Sequence, residues 1–408
     1  MQLQIKFNNT SETIEVENPV TTLESNTCSE PVNSIAGALE EPLNSPSLKH
    51  FLDCAKNVLI IVNDATRPTP TAKVIDEIFE DLKPYNVTFI IAVGTHRELT
   101  DEEYAKIFGK YRSRLTIVLH DAKTSEMMYL GTTSRGTEVR INQLAGSADK
   151  IIVIGSAEPH YFAGYSGGRK AILPGIAAHE TIRQNHKLAL LPESKILTLK
   201  DNPVHEDMAE ACKMVKTDIF SIQTVLDTNH NIYFASAGDV FASHEACCEK
   251  VDELFSAEIT EKADIIISVV KSPLNLDLYQ SHKAVENAKS ALKKGGIFIL
   301  ISECSEGIGN DNFYKLLSSC TTAEQVQSKI AEGYKLGWHK AAKLAEFFVN
   351  AHLWAVTNMD SDVPEKIFIR PFENVKQAIE EAIEQKGQTA KMLFISDGAN
   401  LVPRVTKI

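Results

Sequence analysis

The sequence predicts an α/β protein of two α/β domains with largely parallel sheets and an active-site cleft between them. Three observations carry that reading. At 408 residues the chain exceeds the length at which a single hydrophobic core stops growing. Its 43% of apolar residues can fill more than one core. Short, continuous apolar runs alternate with amphipathic stretches, which is the rhythm of βαβ units. The charged stretch Ser256–Lys262 is the candidate linker, giving an N-terminal domain over 1–260 and a C-terminal domain over 261–408.

Each element follows from its pattern. Leu3–Phe7 and Thr13–Val16 flank the turn residues Asn8, Asn9, Thr10 and Ser11 and read as a hairpin. Val58–Val62 is a buried strand, Thr71–Leu82 an amphipathic helix and Val87–Val93 a second strand, so a parallel pair is expected. Thr100 with Glu103 three residues on forms a capping box that starts the next helix. Ile151–Ile154, bounded by Gly155, is another buried strand, and Glu180–Lys187 reads as helical. In the second domain, Asp264–Val270 leads through a helix at Ser281–Lys294 to the strand Gly296–Ile301. Helices at Ala323–Gly333 and His339–Asn350 and a final strand at Met392–Ile395 complete the reading.

Bulk properties exclude several classes. A net charge of -12, spread along the chain, argues against nucleic acid or an anionic membrane as partner. No apolar run approaches the roughly 20 residues that span a bilayer, and the start lacks a signal-peptide core, so a cytoplasmic location is expected. The seven cysteines, Cys28, Cys54, Cys212, Cys247, Cys248, Cys304 and Cys320, form no C-x-x-C pair. A zinc site or a disulfide framework is therefore not expected, and the adjacent Cys247 and Cys248 read as packing residues rather than as a metal pair.

Three polar loops follow strands in the first domain, and in a parallel sheet they converge on one edge. The first holds Asp64, Thr66 and Arg67; Asp64 and Thr66 suit either a site or a helix cap, while Arg67 suits a carboxylate or phosphate. The second, Gly94-Thr95-His96-Arg97, offers His96. The third runs from His160 to Lys170, with Ser166, Gly167 and Gly168 offering backbone N–H donors to an anion. Two histidines on converging loops suit proton exchange at both faces of one carbon, the pattern of racemases and epimerases. Ala171 after Lys170 breaks the nucleotide-hydrolysing loop pattern, and G-x-G-x-x-G is absent. Lys170 remains a candidate for covalent attachment. His186 is a candidate metal ligand, with His179 and His205 as competitors. In the second domain Tyr279, Gln280 and Lys283 open a helix that could face an anion or be a capped surface helix.

Together, Asp64-x-Thr66-Arg67-Pro68-Thr69-Pro70, Gly94–Arg97, the His160–Lys170 run, His186 and Tyr279–Lys283 resemble the nickel-dependent lactate racemase family. The resemblance covers essentially the whole chain. It implies a nickel pincer nucleotide, pyridinium-3-thioamide-5-thiocarboxylic acid mononucleotide, joined to Lys170, with His186 as the protein ligand to Ni. It further implies His96 and His160 as alternating acid and base, with hydride leaving and returning through a 2-keto acid. Arg67, Tyr279, Gln280 and Lys283 become substrate contacts, with Asp64 and Gln280 orienting the histidines or the substrate. Asp64, Ser166, Gly167 and Gly168 lie by the cofactor, and Trp338 is preferred to Trp354 as the tryptophan near it. Cofactor-biosynthesis proteins are the implied partners. Glu98 stands where the lactate enzymes carry proline, which opens malate, 2-hydroxyglutarate or an aldonate as alternatives to lactate. A Schiff-base lyase using Lys170 and a non-catalytic nickel carrier are the readings from other classes.

Overall fold

A computed structural model describes residues 1–8, 10–24 and 30–406. The chain forms two compact units, Asn26–Leu254 and a second made of Met1–Ser25 with Phe255–Ile408. Cys28 lies outside the described residues.

The first unit is organised by a six-stranded sheet in the order Ile232–Asp239, Ile219–Leu226, Lys150–Ser156, Asn57–Asn63, Asn86–Ala92, Thr116–Leu119. Every neighbouring pair is parallel except the first. The central strands are apolar throughout because both faces are covered, so Val58 to Val62 are all buried. Thr71–Leu82 is the helix expected, and its Val74, Ile75, Ile78 and Leu82 form the stripe that closes one face of the sheet. The capping box is present, with Thr100 accepting from the Glu103 amide and Glu103 reaching back to the Thr100 amide. Chain order reverses between Asn57–Asn63 and Lys150–Ser156, since the intervening strands add to one side and the later strands to the other. A crevice at the carboxyl ends of two such strands is where open α/β sheets hold ligands.

The second unit has an all-parallel six-stranded sheet, ordered Arg370–Phe372, His352–Val356, Leu292–Ile301, Ala263–Val269, Met392–Ile395, Val20–Leu23. Its core joins Ile265, Ile267, Ile297 and Ile299 to the helix Val375–Lys386 and the N-terminal hairpin. Several expectations shift here. Residues 1–25 group with this unit rather than with the first, because Val20–Leu23 pairs with Met392–Ile395. The proposed linker begins with a strand, Ser256–Ile259, that pairs with Val402–Val405, so Met392–Ile395 is not the final strand. Charge there marks a solvated edge strand. The helix expected at Ser281–Lys294 instead runs Leu278–Ala288, because the Asp277 side chain caps it by accepting from the Gln280 amide. No helix among the described residues is long and apolar enough to cross a membrane.

Candidate active site

All three polar loops of the first unit meet at its switch point and line one pocket of about 770 Å³, open mouth included. Asp64 and Arg67 enter from the first loop, His96 from the second, and His160, Ser166, Gly167, Gly168 and Lys170 from the third. His186 reaches the same pocket from the helix His179–Lys187. Neither competitor, His179 or His205, lines it.

Asp64 is not a helix cap. The helix beginning at Thr71 starts behind Pro70 without a side-chain cap, and Asp64 instead turns to its neighbours in the pocket. Its Oδ1 accepts from the Thr66 hydroxyl at 2.6 Å, and its Oδ2 accepts from His96 Nδ1 at 2.6 Å. Burial pushes this carboxyl up, but the His96 and Thr66 hydrogen bonds and the Arg67 charge outweigh it and hold Asp64 below the usual carboxylate range. Because a carboxylate only accepts, the His96 proton sits on Nδ1 and its lone pair on Nε2.

His160 is set the other way. The Ala163 amide donates to His160 Nδ1 at 3.3 Å, so the neutral ring carries its proton on Nε2. Phe162, which sequence reasoning missed, does not line the pocket but packs against three residues that do. Its ring lies 4.5 Å from His160 and 5.1 Å from His186, centre to centre, and Lys170 Nζ sits 5.7 Å above it. Burial, with Lys170 and His96 adding like charge, pushes the His186 pKa down to about 3, so the ring is neutral near pH 7.

Two of the three backbone amides expected to cradle an anion are already taken. The Ser166 amide donates to Glu158 O and the Gly168 amide to Gln223 Oε1, both internal partners. The two glycines serve close packing instead: Gly167 and Gly168 have φ of +82° and +52°. A Cβ on Gly167 would stand 2.7 Å from Gln223 Oε1, and one on Gly168 would stand 2.8 Å from His244. Arg67 is also engaged, with Nη1 donating to Glu158 Oε2 at 2.8 Å.

Beneath the loop lies a fully buried Arg169, which donates to Ala163 O, Gly167 O and His244 Nε2. Burial pushes its pKa down to about 10, which leaves it charged. No sequence pattern announced Gln223 or His244, because polar residues within an apolar strand or helix read as solvent-facing, and nothing local marks Arg169 in its polar loop as buried.

These buried bases predict acid lability. Burial, with Arg169 nearby, pushes His205 down to about 3 and His244 well below its ordinary 6.5. Below pH 6.5 the unfolded chain therefore binds protons that the folded chain refuses, and stability falls with pH, by about 1.4 kcal/mol per pH unit for each histidine. Urea midpoints measured at pH 7.5, 6.0 and 5.0 should decline, and His205→Asn should flatten the decline. A midpoint constant across this range contradicts it.

The remaining nominated residues lie in the other unit. Tyr279, Gln280 and Lys283 occupy the first turns of Leu278–Ala288, where the Asp277 cap already takes the Gln280 amide and Lys283 is buried. Lys340 donates to Tyr279 O and sits 3.6 Å above the Tyr279 ring. Trp338 opens the helix Trp338–Asn350, with Lys335 Nζ 5.5 Å above it. Trp354 is a core residue, its ring tilted against Phe372 with centres 4.9 Å apart.

Known proteins are similar to this chain over both units. Residues 2–197 match the lactate racemase N-terminal domain and residues 259–402 the lactate racemase C-terminal domain. The lactate racemase of Thermoanaerobacterium thermosaccharolyticum is 34% identical over 382 residues, covering 90% of this chain and 89% of the relative. That of Lactiplantibacillus plantarum is 30% identical over 384 residues, with 90% of each covered. The solved structure of the T. thermosaccharolyticum lactate racemase apoprotein superposes with a TM-score of 0.91 at 30% identity, covering 99% of this chain and 100% of that one. A Thermotoga maritima protein shares the fold at a TM-score of 0.70 and 17% identity, covering 91% of this chain and 96% of that one. With both domain models matched in order and the relatives covered nearly end to end, this chain belongs to the lactate racemase family and is an isomerase.

Proposed function

We propose that this chain racemises a small 2-hydroxy acid, lactate first, with a nickel pincer nucleotide joined to Lys170 and liganded by His186. One observation carries the reading: Lys170, His186, His96 and His160, nominated from separate stretches of sequence, line one pocket at the switch point. The residues present suit the group. Lys170 and His186 both lie against Phe162, within reach of one bound molecule. The Asn185 side chain stands 3.2 Å from His186 Nδ1, which leaves Nε2 as the ring nitrogen that would hold a metal. When bound, the group supplies a hydride acceptor, so the α-carbon can lose and regain hydride through a 2-keto acid without a carbanion forming beside a carboxylate.

The chain's own residues handle the proton and the substrate charge. His96 takes the hydroxyl proton at Nε2, and the Asp64 carboxylate at 2.6 Å steadies the imidazolium that results. His160 presents Nε2–H as a donor to the same oxygen; for it to accept a proton there, its ring proton must move to Nδ1 and displace the Ala163 amide, a contact of 3.3 Å. Arg67, steadied at Nη1 by Glu158, keeps its other N–H groups for the substrate carboxylate. The reading includes a cytoplasmic location and cofactor-biosynthesis proteins as partners.

Protein made in a host that assembles the cofactor is to be given single enantiomers of lactate, malate, 2-hydroxyglutarate and an aldonate, and the products separated by chiral chromatography. Lactate is expected to reach an equal mixture of enantiomers. Turnover of a longer acid alone moves the substrate within the same reading, and no interconversion of any acid ends it.

A further inference from the structure

The helix that carries His186 is joined through Asn185 to a buried polar relay that the reaction does not require as such. Asn185 and Asp207 are both fully buried. Asn185 Nδ2 donates to Asp207 Oδ2 at 2.8 Å and to Val204 O at 3.3 Å. Asp207 is itself fixed, its Oδ1 accepting from the Thr133 hydroxyl at 2.5 Å and its Oδ2 from the Thr137 hydroxyl at 2.9 Å. Two acceptors facing Nδ2 settle which end of the amide is which, since an amide oxygen turned toward them would meet only oxygens. Asn185 Oδ1 is thereby turned toward His186 Nδ1, 3.2 Å away. An amide oxygen only accepts, so the ring proton of His186 is drawn to Nδ1 and its lone pair to Nε2.

We infer that Asn185 and Asp207 are positioning residues that hold His186 in the Nδ1–H tautomer and so prepare Nε2 as a metal donor. The inference rests on the proposed role of His186 toward nickel, but the tautomer is a property of the protein alone. Outer partners of this kind fix ring orientation and donor basicity at metal sites. They act through His186 and touch no reacting atom. Buried polar groups with every member satisfied also lock one geometry, which explains a carboxyl oxygen pair serving three donors in an apolar setting.

The test reads the ring directly. Full-length apoprotein labelled with 15N-histidine is examined by long-range 1H–15N correlation, with the His186 signals identified by their loss in His186→Gln. Wild type is expected to show a protonated Nδ1 and an unprotonated Nε2. Asn185→Ala is expected to lose that preference, Asp207→Leu to loosen it, and Asp207→Asn, which keeps an acceptor for Asn185, to restore it. A wild-type ring protonated on Nε2 overturns the inference, as does an Asn185→Ala protein that folds and keeps the wild-type tautomer. Should Asn185→Ala fail to fold, the wild-type spectrum and the Asp207 pair decide the matter. Nickel content of the loaded protein is measured separately, so an absence of nickel defeats the cofactor reading while the tautomer result stands on its own.

Discussion

Lys170→Arg should yield a folded protein with no detectable racemase activity, a loss of at least about 10⁶-fold if the rate falls to the uncatalysed level. Arginine keeps the charge and the stem that lies over Phe162, 5.7 Å from the ring centre. It also keeps the backbone turn in which the residue 170 amide donates to Gly167 O and its carbonyl accepts from the Gly175 amide. What it removes is the primary amine needed for covalent attachment. Far-ultraviolet circular dichroism and urea midpoint should match wild type, while chiral chromatography of lactate shows one enantiomer unchanged. Measurable racemisation by Lys170→Arg would contradict a role for the amine and return Lys170 to a charged residue at the rim of a binding site.

His96→Asn and His160→Asn should each lower turnover by about 10²–10⁴-fold, the range expected for loss of one positioned acid or base. The two enantiomers have equal free energy in water, so kcat/KM must fall equally in both directions whichever ring is removed. The rings are distinguished by what supports them. Asp64→Asn replaces the acceptor of His96 Nδ1–H, 2.6 Å away, with an amide that can present its NH2 group to the ring and reverse its tautomer. It should therefore approach the His96→Asn defect while leaving His160 and its Ala163 contact alone. Initial rates from each pure enantiomer at several pH values provide the check. An Asp64→Asn enzyme within a few-fold of wild type would mean that His96 does not depend on its carboxylate partner.

Local pattern carried the sequence reading wherever the outcome is decided locally. The apolar run Val58–Val62, the stripe of Thr71–Leu82 and the Thr100–Glu103 capping box are each specified within one element, and each formed as expected. The pocket was legible because a parallel sheet sends the loops at Asp64, His96 and His160 to one edge whatever their detail. Long-range pairing was not legible. Val20–Leu23 finds its partner at Met392–Ile395, some 370 residues away, and Ser256–Ile259 looked like a linker because its pairing with Val402–Val405 leaves no local signal. The same limit hid the support beneath the site. Gln223 and His244 matter because Gly167 and Gly168 have no side chains to hold them off, and Asn185 matters because Asp207 lies one helix away. Such residues are recognised by what they touch, and touching is decided by the fold.

The central claim is that Lys170 carries the group that accepts hydride. Intact mass and peptide mapping of protein from a cofactor-competent host, with nickel measured on the same sample, tests it most directly. A mass increment confined to the peptide containing Lys170, accompanied by about one nickel per chain, is the result the account predicts, the count following from a single nominated ligand and a single pocket. An active racemase whose Lys170 peptide has its unmodified mass would contradict it.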